Sequence, residues 1–353
     1  MEKMSILDHK CPACNAELKF NPTSQSWVCG YCGSEYNLEQ LKADETKNED
    51  VNRKKSANIS YRGYNCPDCG AEIIMDENTS VTECVYCGNT AIITERLQGE
   101  FSPTQVIPFK KTKDDAVNAF LGYKKGKWFM PKEFLDKRNI EKIAGIYIPF
   151  YLYDMDVDAR IDVEATKTKT WTSGNYRYKQ TDYYNVLRAG NMSFDKIPTD
   201  ASKKFPDDIM DSIEPYNYVD LVRFDASYMS GFLSEKFDLS KDELQERAEK
   251  RAKQSAEQEL LRDVVGYDSK HIKNSIANAK KKDSKYVLLP VWMLNIKYEG
   301  KPYTLAMNGQ TGKFIGNVPV SKKKVAIFWL AFFAGTAAIS ITLNLLGLFN
   351  LFG

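Results

Sequence analysis

A strict alternation of apolar and polar residues predicts a long β-strand near the middle of the chain. Between Met155 and Val163 every second residue is apolar, and the intervening residues are charged. Successive side chains of a strand point to opposite faces, so this segment has one buried face and one hydrated face. The hydrated face carries several acids, interpreted as a wet surface in preference to a cation site: Asp154, Asp156 and Asp158.

Shorter apolar runs predict further strands. The segments GIYIPFYLYDM (145–155) and YVLLPVWMLNI (286–296) resemble each other, which leaves open two related β units or a chance likeness of short strands. The dipeptide Asn308-Gly309 separates two apolar runs and predicts a β-hairpin. Residues 101–321 are therefore predicted to form an α+β domain in which β-structure dominates.

Capping signals predict two helices in this domain. Thr112-Lys-Asp-Asp115 resembles a capping box, and Ser240-Lys-Asp-Glu243 begins a longer helix for which Gly266 is the predicted stop. Ion pairs at i,i+4 spacing are expected along the longer helix: Glu243/Arg247, Glu246/Lys250 and Glu249/Lys253. Its apolar stripe is expected to pack on the sheet, although the dense charge around that stripe leaves a partner-helix role open: Leu244, Ala248, Leu260, Leu261, Val264 and Val265.

The C-terminal segment is apolar on every side. No charged residue occurs from Val325 to Gly353, and a helix of this length, at ~1.5 Å per residue, exceeds the ~30 Å hydrocarbon core of a bilayer. We therefore expect a single transmembrane helix over 325–349 in preference to a buried core helix. Lys322, Lys323 and Lys324 stand directly before it, so the positive-inside bias predicts a cytoplasmic N-terminal bulk and a C-terminus at the outer side of the cell membrane.

All eight cysteines fall before residue 90, in four C-x-x-C pairs: Cys11/Cys14, Cys29/Cys32, Cys66/Cys69 and Cys84/Cys87. The first two pairs and the last two belong to an internal repeat with an offset of 55 residues. The repeat predicts tandem zinc ribbons at 8–37 and 61–97, joined by a charged linker at 38–60. The N-terminus has no apolar signal-peptide core, so the thiols are expected in a reducing compartment and not in disulfides.

Each pair of C-x-x-C turns supplies four thiolates, which is the ligand set of a closed tetrahedral zinc site. Two structural Zn²⁺ ions are therefore expected, with rubredoxin-like iron and thioredoxin-like redox chemistry as alternatives. Four sulfur ligands fill the coordination sphere, so neither metal offers an open position for catalysis. His9 lies near Cys11 but is surplus to the ligand set.

The charged residues of the two ribbons indicate which class of partner each ribbon can bind. The whole chain has a formal net charge of +2, which gives no global signal for a polyanion partner. The second ribbon has five acids and no base between Cys66 and Cys87, so it would repel phosphate. Protein docking is favoured over nucleic acid, and a purely structural capping role stays open. Basic segments at 110–142 and 273–285 face either anionic lipid or solvent.

Enzyme chemistry finds little support in the sequence. Only His9 and His271 are available as histidines, and the ribbons use every cysteine. The phosphate-binding, dinucleotide-binding and nucleophile-elbow motifs are absent from the sequence. The chain is therefore predicted not to be an enzyme, and residues 101–321 have no predicted ligand.

The duplicated CP-x-C and C-x-YCG elements resemble the zinc ribbon of transcription factor IIB. The longer pattern of two ribbons, PFKKTKDDAVNAFLGY, IYIPFYLYD, LPVWMLNIKYEGKPYTLAMNGQTGKFIGNVP and a hydrophobic C-terminal helix resembles a family of bacterial membrane-anchored zinc-ribbon proteins. Members are sometimes labelled as phage replication or primosomal-helicase-like proteins. One is encoded beside a phage-shock protein A homologue and a flotillin-like SPFH protein, so the resemblance implies such partners in envelope stress.

These observations predict an α+β multidomain chain with two tandem zinc ribbons, a β-rich middle domain and one C-terminal transmembrane helix. The expected function is a membrane-anchored adaptor that recruits cytoplasmic proteins. The alternative is a membrane-tethered nucleic-acid-binding protein of transcription or replication. Small residues in the transmembrane helix predict self-association there or pairing with another membrane protein: Ala331/Gly335 and Ala334/Ala338.

Overall fold

The computed structural model describes residues 11–42 except 17, the segments 62–65, 72–75 and 93–96, and residues 103–345 except 124, 136, 141, 204, 230 and 235–238. This part of the chain is α+β, with a large mixed sheet and five helices. The strands are β1 (Leu18–Asn21), β2 (Ser26–Cys29), β3 (Glu35–Tyr36), β4 (Arg62–Asn65), β5 (Glu72–Met75), β6 (Ile93–Arg96), β7 (Gln105–Val106), β8 (Ala144–Ser173), β9 (Tyr176–Asp200), β10 (Val222–Arg223), β11 (Leu233–Ser234), β12 (Ser269–Tyr298), β13 (Lys301–Asn308) and β14 (Phe314–Gly316). The helices are α1 (Lys113–Tyr123), α2 (Lys137–Ile140), α3 (Asp207–Ile213), α4 (Lys241–Arg262) and α5 (Lys322–Leu345).

Three long antiparallel strands dominate the fold. β8 and β12 each contain 30 residues and β9 contains 25, and β8 lies between the other two. At ~3.3 Å per residue, a 30-residue strand reaches about 100 Å, so the three long strands extend well beyond the aromatic core at one end of the sheet, which is called the base of the domain below. The predicted alternation in β8 is confirmed, because its odd-numbered residues from Met155 to Val163 are no more than 1% exposed.

Helix α4 covers the apolar face of these strands. Ser240 and Glu243 form the predicted capping box, and the buried stripe runs along one side of the helix: Leu244, Ala248, Ala252, Ala256 and Leu260. The alanines let the helix approach the sheet closely, so the predicted packing on the sheet is confirmed. Val265 was expected in that stripe but is 72% exposed, because the helix ends at Arg262 and its neighbour Val264 takes the buried position.

Ion pairing along α4 differs from the predicted local pattern. Of the three expected pairs, Glu249–Lys253 forms at 3.9 Å. The expected pair of Glu243 with Arg247 is wrong: the Glu243 carboxylate accepts a hydrogen bond from the Ser240 amide, and Arg247 binds acids of β9 and α3. The capping amide and the buried Asp200 offer these side chains fixed partners, which an exposed i,i+4 contact does not.

The base of the domain is an aromatic core beside the predicted hairpin. The two similar segments at 145–155 and 286–296 lie side by side in β8 and β12, and Phe109 stacks on Phe232 at 4.1 Å between ring centroids.

The hairpin at Asn308-Gly309 is confirmed as the turn between β13 and β14. It is longer than two residues, because Asn308 accepts the backbone amides of Gln310 and Thr311 through Oδ1, and Gly312 takes the positive φ of +80°.

Candidate functional site

Four cysteines converge at the end of the small N-terminal sheet of β1, β2 and β3. Cys11 and Cys14 lie in the turn before β1, Cys29 ends β2, and Cys32 follows in the next turn. Asn15 and Gly33 take positive φ angles of 62° and 74°, which close the two turns. The spacing of two residues within each pair therefore places two thiols on each turn, and the antiparallel register brings the turns together.

The sulfur atoms are spaced for a metal ion. The Sγ atoms of Cys11 and Cys32 are 3.5 Å apart, those of Cys14 and Cys29 are 3.4 Å apart, and all four lie within 4.8 Å of one another. A tetrahedral ion with metal–sulfur bonds of about 2.3 Å separates its sulfur ligands by roughly 3.8 Å. The four predicted ligands of the first ribbon are thus brought together and could hold one metal ion.

The thiols differ in their electrostatic surroundings. The hydroxyl and backbone of Ser34 lower the pKa of Cys32 to about 6. The backbone at Ala16 lowers the pKa of Cys14, but desolvation and the neighbouring thiols outweigh it and raise that pKa to about 12. Crowded thiols resist losing several protons at once, and a bound cation would remove this conflict because it binds the thiolate form.

The first ribbon is packed onto the middle domain. Trp27 is 1% exposed, its ring lies 5.1 Å from Phe20 and 5.2 Å from Tyr228, and its Nε1 donates a hydrogen bond of 3.0 Å to the Ser227 carbonyl oxygen. A second bond joins Gln25 Nε2 to the Phe109 carbonyl oxygen at 2.8 Å. The apolar face of this ribbon is therefore buried against the middle domain.

The metal ligands predicted for the second ribbon, Cys66, Cys69, Cys84 and Cys87, lie outside the described residues. Its three strands are described: β4 pairs antiparallel with both β5 and β6. β5 also pairs with β11 at Ser234, which connects this sheet to the large one.

Helix α5 is the candidate membrane segment. Its span from Lys322 to Thr342 is long and apolar enough to cross a membrane, and none of it is buried in the protein. The three lysines expected to flank the membrane differ in their surroundings. Lys322 and Lys323 are exposed, whereas Lys324 donates a hydrogen bond from Nζ to the Met130 carbonyl oxygen at 2.7 Å. Ser321 donates its amide to Phe129 at 2.7 Å, so the start of the helix is attached to the domain.

Two of the three β8 acids that were considered as a cation site have protein partners. Asp154 accepts the backbone amide of Lys196 at 2.8 Å, and Asp156 pairs with Lys282 at 3.4 Å and accepts from the Ser193 hydroxyl. These contacts match the interpretation as an ordinary hydrated strand face. The aromatic Trp292 is 7% exposed and donates from Nε1 to the Lys111 carbonyl oxygen.

Sequence reasoning missed two features. The first is the exposed tip of the β8–β9 hairpin, where Trp171 stacks on Tyr178 at 5.6 Å between ring centroids. The signal was the Ser-Gly-Asn turn at 173–175 between segments rich in aromatic residues. The second is a cluster of acids around Arg247 and Arg251, in which Asp200 is buried; the cluster comes from separate elements and has no local sequence signal.

Comparison with known proteins identified a relative that aligns with almost the whole chain. It is 34% identical over 338 residues to the uncharacterized protein YdjG of Bacillus subtilis (strain 168), and the alignment covers 96% of this chain and 97% of that protein. No protein-family model matches the chain. No solved structure matches it either.

Proposed function

The chain belongs to the same family as YdjG of Bacillus subtilis, and from this premise we propose that it is a membrane-anchored zinc-binding adaptor. In this proposal it recruits cytoplasmic protein partners to the inner face of the cell membrane. It binds two structural Zn²⁺ ions, one in each ribbon, and performs no enzymatic reaction. Its N-terminal bulk is cytoplasmic and its C-terminus is at the outer side.

The observation that carries the proposal is the pairing of an unburied apolar helix with a long exposed sheet. The apolar side chains of α5 need a hydrocarbon environment, because in water they would expose a large apolar surface. Lys322 and Lys323 at its start favour the cytoplasmic side for everything before them. The strands β8, β9 and β12 then present surface tens of ångströms from the base, which suits a scaffold.

Charge supports protein partners for the second ribbon. The five acids between Cys66 and Cys87 suit a basic protein surface and repel nucleic acid. The resemblance to zinc-ribbon membrane proteins encoded beside phage-shock protein A and SPFH proteins supports an envelope-stress setting. Partners of those two types are therefore part of the proposal.

The test is crosslinking and affinity purification of the full chain from membranes. The variant Asp76→Asn/Glu77→Gln, in the second ribbon, is expected to lose a protein partner that the wild type recovers. The matched control Asp242→Asn/Glu246→Gln removes two exposed acids from α4 and should recover that partner. Equal recovery of the partner by both variants would show that the acidic ribbon is not the docking surface. A full chain that stays soluble without detergent would contradict membrane anchoring by α5.

A membrane-tethered nucleic-acid-binding protein is the second candidate, and the hairpin tip is the observation in its favour. The exposed stack of Trp171 and Tyr178 lies near Lys169 and Lys179, and single-stranded nucleic acids bind such combinations of aromatic and basic side chains. A salt-dependent gel shift by the detergent-solubilised chain, lost in Trp171→Ala/Tyr178→Ala, would favour this candidate over the adaptor.

A further inference from the structure

The long sheet has two open edges that differ in chemistry. Among the described residues β9 pairs with β8 alone, so no strand covers its outer edge; near its C-terminal end Arg251 donates to the Pro198 carbonyl oxygen at 2.8 Å. On the other side, β12 pairs with β8 alone from residue 269 to 286, before β7 and β13 cover it. An open edge presents unpaired backbone N–H and C=O groups that another strand can bind.

The β12 edge carries the features that prevent such pairing. Six lysines occur within 269–286: Lys270, Lys273, Lys280, Lys281, Lys282 and Lys285. Two register shifts also interrupt this strand, between Ile272 and Asn274 and between Lys281 and Asp283. Lysine side chains and bulges are the usual means by which an edge strand avoids another chain.

From Gln180 to Phe194 the β9 edge lacks these features, whereas Lys179, Lys196 and one register shift lie beyond the two ends of this stretch. Between Gln180 and Phe194 it contains no lysine, one acid and one arginine. Its pairing with β8 runs without a register shift from Tyr176 to Phe194. Tyr183 and Leu187 are 69% and 50% exposed in this stretch. A straight, weakly charged and partly apolar edge is suited to binding another strand.

The sequence of this edge is complementary to itself. If two copies of β9 run antiparallel with their Asn185 residues opposite each other, each residue faces the one at an equal distance on the other side of 185. Asp182 of each copy then faces Arg188 of the other, and Tyr183 faces Leu187. Farther out, Tyr178 faces Met192 and Tyr176 faces Phe194. Opposite charges and aromatic–aliphatic pairs at directly facing positions stabilise antiparallel strands.

The faces of the sheet also agree in this register. Facing residues are both even-numbered or both odd-numbered, so side chains of both copies that point to the α4 side meet one another. A two-fold axis perpendicular to the sheet through Asn185 produces this arrangement, and each contact occurs twice, as in an isologous dimer. Arg188 keeps donors available, because its present contacts are carbonyl oxygens: Leu187 at 2.9 Å and Asp263 at 3.5 Å.

We propose that the outer edge of β9 binds the same edge of a second copy of this chain, forming a homodimer with a continuous six-stranded sheet. The bases of the two copies lie on opposite sides of the axis. Asn185 faces Glu164 of β8, and Tyr147 lies 17 residues back along β8, so each base is roughly 55 Å from the axis at ~3.3 Å per residue. A two-fold axis along the membrane normal places the two α5 helices at the same depth, and the dimer needs no contact between them.

The test is the oligomeric mass of the full-length chain in detergent, measured by light scattering across a dilution series. The wild type is expected to be a dimer. Asp182→Arg and Arg188→Asp should each raise the dimer dissociation constant by roughly tenfold to a hundredfold, because two facing pairs become repulsive. The combined Asp182→Arg/Arg188→Asp variant restores opposite charges and should return to the wild-type constant. Lys270→Glu, on the β12 edge, is the control and should not change it.

A monomeric wild type, single variants that dimerise like the wild type, or a combined variant no better than the single ones would overturn the proposal. Thiol crosslinking covers the case in which a charge reversal unfolds the chain. Asn185→Cys places two thiols opposite each other on the axis, so a short bismaleimide should give more covalent dimer than it gives with Lys270→Cys or the wild type. Equal yields from Asn185→Cys and Lys270→Cys would also overturn it.

Discussion

Replacing Arg247 by methionine probes the partly buried ion cluster that joins α4 to β9 and α3. The guanidinium contacts Asp200 Oδ1 at 2.7 Å and Asp211 Oδ1 at 2.7 Å. The Asp200 side chain is 0% exposed, and its Oδ2 has no hydrogen-bond partner among the described residues. Arg247→Met would therefore leave a buried carboxylate without its counter-charge, which costs about 3–5 kcal/mol of unfolding free energy. We expect about 3 kcal/mol, because Arg247 is itself 20% exposed and water can partly replace it.

The matched control is Arg262→Met on the same helix. Arg262 contacts Glu259 at 2.7 Å, but the two side chains are 70% and 47% exposed. Exposed pairs of this kind contribute less than about 1 kcal/mol, so this variant should unfold almost like the wild type. Urea unfolding of the full chain in detergent, followed by circular dichroism, measures both. Equal destabilisation of the two variants would refute the reasoning from burial.

The pH dependence adds an independent check. Burial raises the pKa of Asp200 from its usual 3.8 to about 6, against the opposing effect of Arg247. A carboxyl whose pKa is higher in the folded state stabilises the fold below about pH 4, and this stability is lost as the pH rises through about 6. Without Arg247 the pKa of Asp200 rises further, so Arg247→Met should lose more stability relative to the wild type at pH 8 than at pH 5. Adding Asp200→Asn should recover most of the loss, since the buried charge is then gone.

Two further predictions concern the first ribbon. Cys29→Ser should lower the metal content of the purified chain by one ion, measured by mass spectrometry of the metals. The control Ser24→Ala lies on the same ribbon but away from the thiols and should keep the wild-type metal content. An unchanged metal content in Cys29→Ser would exclude a four-cysteine site. Trp27→Ala should destabilise the chain by about 3–5 kcal/mol in urea, because it empties a buried aromatic site, whereas Tyr31→Ala removes an 85% exposed ring and should cost little. Similar losses in these two variants would contradict the docking of the ribbon on the middle domain.

The local elements of this protein could be predicted from short stretches of its sequence. The period-two pattern from Met155 to Val163, the capping box at Ser240 and the apolar run after Lys324 each depend on neighbours a few residues apart, so the pattern and the element coincide. The C-x-x-C spacing likewise fixes two thiols on one turn. The clustering of all four thiols of the first ribbon followed, because the chain between the two pairs is short enough for one hairpin.

Contacts between residues far apart in the sequence could be identified in the folded chain and not before. Trp27 donates to Ser227, 200 positions along the chain, and Arg247 binds Asp200, 47 positions back, in place of the neighbour Glu243. The open edge of β9 is also a property of the sheet order, because a strand's sequence does not state whether its second side is covered. The physical reason is that burial and desolvation depend on everything packed around a group. A local pattern indicates which face of an element is buried, and the packing of the whole fold determines which residues that face contacts.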